Sequence, residues 1–160
     1  MNTPSSTASR HWKPNVTVAA IIEQEGKFLL VEEITDRGNR FNQPAGHLEE
    51  GETIIDAAIR ETLEETAYDF TPQALVGIYH WQHPVNGVTY LRFAFTGVLG
   101  THHAERALDE GIIRTVWKSE AEIAAEDELM RSPQVLLCVQ DYLAGKRYSL
   151  DLLKHLGQAL

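Results

Sequence analysis

Glu61, Glu64 and Glu65 are spaced so that, on an α-helix, all three carboxylates project from one face within about 100° of arc. Like charges held this close repel one another. The arrangement therefore describes either a well-solvated acidic surface or a face whose repulsion is offset by a bound cation. Oxygen ligands alone favour a hard ion. Mg2+ fits, and Mn2+ also, because both accept carboxylates and water and complete an octahedron with phosphate oxygens.

A helix must present these residues, and its start is legible. Thr53 can cap the free amides of a first turn, and Asp56 stands three residues on, where a capping-box acid belongs. Ile55, Ala58, Ile59, Thr62, Leu63 and Thr66 follow the rhythm of one buried face, which places Asp56, Arg60, Glu61, Glu64 and Glu65 on an acidic outer face. Ahead of the helix, the apolar runs Val16 to Ile22 and Phe28 to Ile34 flank Glu25-Gly26-Lys27 and predict a hairpin. Gly38 and Asn39 mark a loop, and Phe41 to Gly46 continues irregularly. Beyond the helix, Leu75 to Gln82 and Val88 to Leu99 read as strands joined near Pro84 to Gly87, with Ile112 to Trp117 as another. Ser119 with Glu122 forms a second capping box, Ser132-Pro133 opens a last helix and Gly145 closes it. The order predicts an α+β layered domain.

The flanking residues add a pattern. Gly46, five residues, Glu52, seven residues, then Arg60-Glu61-Thr62-Leu63-Glu64-Glu65-Thr66-Ala67-Tyr68 resembles the Nudix box, a glycine, a glutamate and R-E-U-x-E-E-x-G-U in that register. Thr62 departs where a large apolar residue is usual, and Ala67 where a glycine closes the helix. If position 67 needs a left-handed backbone, alanine there costs about 1 kcal/mol. The resemblance, with the box over 46–68, implies the Nudix fold: a mixed β-sheet sandwiched between helices, carrying a loop-helix-loop catalytic motif. It implies a magnesium-dependent hydrolase of phosphoanhydride bonds. Glu61, Glu64 and Glu65 would be metal ligands, Glu52 and Arg60 a pair that orients them, and Glu64 or Glu65 the base. The Gly46 carbonyl would be a further ligand, a turn glycine being the alternative. Asp109 and Glu110 are candidates for an acid outside the box, with solvated loop acids as the other reading.

Further stretches, among them Asn42-Gln43-Pro44-Ala45-Gly46-His47-Leu48-Glu49, Leu91-Arg92-Phe93 and Arg131-Ser132-Pro133, are similar to one bacterial phosphatase subgroup of that family. This similarity implies unselective hydrolysis of nucleoside tri- and diphosphates, and of hydroxymethylpyrimidine pyrophosphate and thiamine pyrophosphate. Competing readings are another Nudix pyrophosphatase, sanitising the nucleotide pool or cutting dinucleoside polyphosphates, and a Nudix-fold binding domain without catalysis. Arg92 is the candidate phosphate contact, a structural ion pair being the alternative. Phe41, Trp81 and Tyr79 are aromatic candidates for stacking on a heterocycle, with core packing favoured for Tyr79. His47 is a second phosphate candidate, whereas His80 and His83 read as ordinary surface histidines.

The 160 residues fit one domain over 13–160 preceded by a loose polar tail over 1–12. A net charge of -9 disfavours nucleic-acid polymers and anionic membranes as partners, leaving a small pyrophosphate or nucleotide held through a metal or local cations. Cys138 is the only cysteine, so an internal disulfide is excluded and a reducing cytoplasm is the expected location. Its apolar setting predicts a buried, inert thiol. No run is long and apolar enough to span a bilayer, and a monomer is favoured.

Overall fold

The computed structural model describes residues 11–157, so the expected tail lies outside the described residues except for His11 and Trp12. The β-branched and alanine run β1 (Asn15–Ile21) is buried on both faces from Val18 onward, as suits a strand at the centre of a layered domain. It pairs in parallel with β7 (Thr89–His102) and antiparallel with β5 (Ala45–His47), and β6 (Tyr68–Gln82) lies beyond β7. The order of this sheet is β5-β1-β7-β6. In the second sheet β3 (Lys27–Thr35) has β8 (Ile112–Lys118) along one edge, and β2 (Glu23–Gln24) and then β4 (Gly38–Asn42) along the other.

Two expectations fail here. The runs Val16 to Ile22 and Phe28 to Ile34 do not form a hairpin with each other, since only the two-residue β2 pairs with the start of β3. Val18 to Ile22 and Phe28 to Val31 are buried on both sides, so each run occupies the middle of its own sheet. The segment at Gly38 and Asn39 is a strand. The turn lies earlier, at Asp36-Arg37, where the Arg37 amide donates to Thr35 Oγ1 at 3.1 Å and Gly38 takes a φ of 86°.

Helices cover both sides, as the resemblance implied. α1 (Ile54–Thr66) lays Ala57 and Ala58 on Val18, Ala20, Ile22, Leu29 and Phe95. On the opposite side, α2 (Glu120–Ala125) and α3 (Gln134–Leu143) bring Ile123, Val135, Cys138 and Val139 onto Ile21, Phe28, Leu30 and Ala94. Cys138 is buried and burial pushes its thiol pKa up, in keeping with an inert role.

The helix ends follow their residues with two exceptions, the first being that Thr53 caps α1 without a capping box, since Asp56 accepts from the Thr53 hydroxyl at 2.8 Å and not from its amide. Ser119 and Glu122 complete a capping box, and Gly145 follows α3 with a φ of 80°. Ser132 does not cap α3, because Pro133 occupies the N-cap position and no side chain caps the helix. Ala67 ends α1 in the left-handed region, with φ 59°. A glycine there would relieve roughly 1–2 kcal/mol of backbone strain, but would lose a buried methyl and add chain entropy of similar total size. Alanine is therefore tolerated.

Candidate active site

The acidic helix face is not the outer one. The buried stripe of α1 is Ala57, Ala58, Glu61, Thr62, Glu65 and Thr66, while Ile55, Ile59 and Leu63 are only half-buried. Small residues set this rotation. Thr62 and Thr66 return their hydroxyls to the Ala58 and Thr62 carbonyls, at 2.8 and 2.5 Å, so no polar group obstructs close packing on the sheet. The helix can then sit low, with Glu61 and Glu65 over β5.

Gly46 lies in β5 directly beneath Glu61. A Cβ built there would stand 2.1 Å from Glu61 Oε1, so what demands glycine is this contact, not a turn. One residue earlier, the Ala45 amide donates to Glu65 Oε2 at 2.9 Å. Burial pushes the Glu65 carboxyl up to about 9, and the nearby charges of Glu61, Glu33 and Asp109 add to it. The Glu61 carboxyl is also raised, chiefly by burial.

Arg60 ties the loop to the helix. Its Nε and Nη2 donate to the two Glu52 oxygens at 2.9 and 2.7 Å, a bidentate pair that holds the Glu52 carboxyl below its ordinary range. Nη1 donates to Glu61 Oε1 at 2.8 Å and to Glu64 Oε2 at 3.0 Å, and Nη2 also reaches the His47 carbonyl at 3.0 Å. Glu61 and Glu64 thus face Arg60 while Glu65 faces β5. Among the described residues, no three carboxylate, imidazole or thiol groups already converge on one ion-sized point.

Glu61, Glu65, Gly46 and His47 line a cavity of about 750 Å3, together with Arg92, Trp81 and Tyr90. Arg92 is buried, and its Nη1 and Nη2 donate to Gln43 Oε1 at 3.0 Å and Asn42 Oδ1 at 3.1 Å. Neutral amides hold it, and among the described residues no carboxylate lies within ion-pair distance, although Glu33 is close enough to feel its charge. Trp81 stacks on Tyr90 with centroids 5.8 Å apart, and the His47 ring lies 6.4 Å from Tyr90.

Several candidates fall elsewhere. Phe41 does not face the cavity: β4 alternation turns Asn42 inward and sends Phe41 to the opposite side, under Lys118 Nζ at 4.5 Å. Tyr79 is a core residue whose hydroxyl donates to Asp141 Oδ2 at 2.8 Å. Asp109 is exposed, and although its amide donates to the Glu64 carbonyl at 3.0 Å, neither it nor Glu110 lines the cavity. His83, read as ordinary surface, does line the cavity, with Nδ1 accepting from the Val85 amide at 3.2 Å. Glu33 was missed. It lines the cavity with Oε1 buried, and the alternation Leu29, Val31, Glu33 could have flagged an acid on a core-facing row.

Both sheets, the flanking helices and this loop-helix constellation define a known class. Residues 11–137 match the family model described as NUDIX domain, and the chain belongs to the Nudix family and is a Nudix hydrolase. It is 39% identical over 142 residues to Phosphatase NudJ of Escherichia coli (strain K12), spanning 89% of this chain and 92% of that one. Its fold matches a NUDIX hydrolase from Nitrosomonas europaea with TM-score 0.87 and 54% identity, over 90% of this chain and 98% of that chain. A MutT NUDIX hydrolase from Burkholderia pseudomallei, at 16% identity and TM-score 0.68, shares the fold over 81% of this chain and 98% of its own.

Proposed function

We propose that the chain hydrolyses phosphoanhydride bonds of nucleoside tri- and diphosphates with Mg2+ or Mn2+, and that thiamine-type pyrophosphates are further substrates. The observation that carries this reading is one cavity holding buried Glu61 and Glu65 together with the amide-held cation of Arg92. The donor set fits a hard ion: crowded carboxylates with raised affinity for protons, beside a glycine that leaves no room for a side chain. Glu61, Glu64, Glu65 and the Gly46 carbonyl would hold it, with Glu52 and Arg60 orienting them. When bound, the ion supplies charge withdrawal at phosphorus and an activated water. With an ion bound and its own proton displaced, Glu65 would take the proton from the attacking water, its burial keeping the carboxylate more basic than an exposed one. Arg92 and His47 bind phosphate, and Trp81 faces the rest of the substrate. We place this monomeric activity on small molecules in the cytoplasm; no described helix is long and apolar enough to cross a membrane.

Turnover of GTP, GDP, thiamine pyrophosphate and a dinucleoside tetraphosphate, with orthophosphate and pyrophosphate counted separately, tests the reading. Hydrolysis of the nucleoside phosphates supports it. A marked preference for the dinucleoside would move the chain to another Nudix pyrophosphatase, and no turnover at all to a binding domain.

The same carboxylates predict a pH-dependent effect of metal on stability. The folded carboxyl of Glu65 titrates near 9 against an ordinary 4.5, so the folded state holds a proton that the unfolded chain releases. Metal-free protein therefore loses stability as pH rises through that interval. Ion binding needs the deprotonated form, so Mg2+ is expected to raise the melting temperature more at about pH 8.5 than at about pH 6. An equal or larger rise at the lower pH in calorimetry would contradict ligation by Glu65.

A further inference from the structure

We infer that Arg92, Ser132 and Gln134 form a cradle for a phosphoryl group of the substrate at the amino end of α3, on a different wall of the cavity from Glu61 and Glu65. This inference rests on the reading that the cavity takes a pyrophosphate-bearing molecule. The family box contributes nothing to the cradle, which lies on the last strand of the first sheet's central pair and on a helix entered by Ser132-Pro133.

Its basis is a set of polar atoms with nothing to bond. Among the described residues, the buried side-chain atoms without a partner include Arg92 Nε, Ser132 Oγ and Gln134 Nε2, three potential donors on residues that line the cavity, and one acceptor there, Glu33 Oε1. Their exposures are 5%, 8% and 5%, so each is more than nine-tenths buried. Burying unpaired polar groups is unfavourable, so each such atom calls for a partner that the protein itself does not supply, a bound ligand, an ion or water. Arg92 Nε and Gln134 Nε2 can only donate, and a serine hydroxyl can. Such a set selects a ligand made of acceptors, and the guanidinium charge makes it an anion.

The surroundings are consistent with that choice. α3 has ten residues and begins without a side-chain cap, which puts the positive end of its dipole at the same place, although the Val135 amide already donates to the Ser132 carbonyl at 3.2 Å. The Arg92 guanidinium is aimed by Asn42 and Gln43, and Gln43 is itself fixed by donating to the Val135 carbonyl at 2.8 Å. Glu33, the nearby acid, has Arg131 Nε 3.5 Å from its Oε1, and Arg37 Nη2 donates to the Arg131 carbonyl at 3.1 Å. Arg37, Arg92 and Arg131 thus line the cavity with the acids Glu33 and Asp36, and Arg131 stands at ion-pair distance from Glu33 without a hydrogen bond to its Oε1.

Inorganic phosphate titrated calorimetrically into the full chain without divalent metal tests the cradle. Saturable binding is expected, and Ser132→Ala and Gln134→Met should each weaken it about tenfold. Neither substitution removes a hydrogen bond present in the fold, so both variants should melt with the wild type in phosphate-free buffer. Glu65→Gln should bind phosphate no less tightly. The cradle is overturned if the wild type shows no saturable binding, if acetate at equal ionic strength binds as well, or if both variants bind as the wild type does. Phosphate binding of the expected kind in a chain that hydrolyses none of the four substrates would keep the cradle and remove the proposed function. Normal hydrolysis with phosphate binding unaffected in the variants would do the reverse.

Discussion

Glu65→Gln is expected to lower nucleoside triphosphate turnover by about 10³-fold or more, because it removes both a ligand charge and the proposed proton acceptor. The substitution is close in shape, and the glutamine oxygen can still accept from the Ala45 amide, as Glu65 Oε2 does at 2.9 Å. Folding should not suffer. The metal-free fold already favours the neutral form of this buried side chain, with its carboxyl raised to about 9, so a neutral amide is expected to melt at or above the wild type near pH 8. Glu64→Gln should also remove activity, with a different structural signature, since Glu64 is bonded to Arg60 at 3.0 Å and does not line the cavity. Phosphate release with Mg2+ and melting curves without it separate the chemistry from the fold. Full activity in both variants would sink the metal-helix mechanism.

Gly46→Ala should cost about 10²-fold in kcat/KM, the scale expected when a positioned group is displaced by an ångström or so. The new methyl carbon would occupy the space 2.1 Å from Glu61 Oε1, and the carboxylate is the part free to move. Backbone conformation gives no reason for loss, because Gly46 is in a paired β-strand with Val18 opposite and does not have a positive φ. The effect therefore belongs to Glu61, and a double-mutant cycle can show it. In a Glu61→Ala background, adding Gly46→Ala should change activity little, whereas two independent losses that simply multiply would rule out this contact as the cause.

The two residues also show how much of the site could be read in advance. The register of Gly46, Glu52, Arg60 and the three glutamates identified the class, and the structure brings Arg60 into contact with Glu52, Glu61 and Glu64. Helical periodicity misjudged the rotation of α1. It treated Ile55, Ile59 and Leu63 as inward and Glu61, Glu64 and Glu65 as outward, but small Ala57, Ala58, Thr62 and Thr66 permit a closer approach that draws Glu61 and Glu65 inside. Phe41 failed for a related reason: what an aromatic can stack on depends on which face of a strand it occupies, and β4 had been read as loop.

What the sequence determined by itself is therefore local and patterned: helix α1 and its Thr53 cap, the Ser119–Glu122 capping box, the β6–β7 hairpin, and the box register. These depend on residues a few positions apart, whose spacing is visible along the chain. Only the tertiary structure decided which carboxylates are buried, that Gly46 is needed for the sake of Glu61, and that Glu33, Asn42, Ser132 and Gln134 share one cavity with Arg92. Those relations join residues from both sheets and from helices on opposite sides of them. Burial and the pairing of charge are set by what packs against a group in space, and no spacing along the chain encodes that.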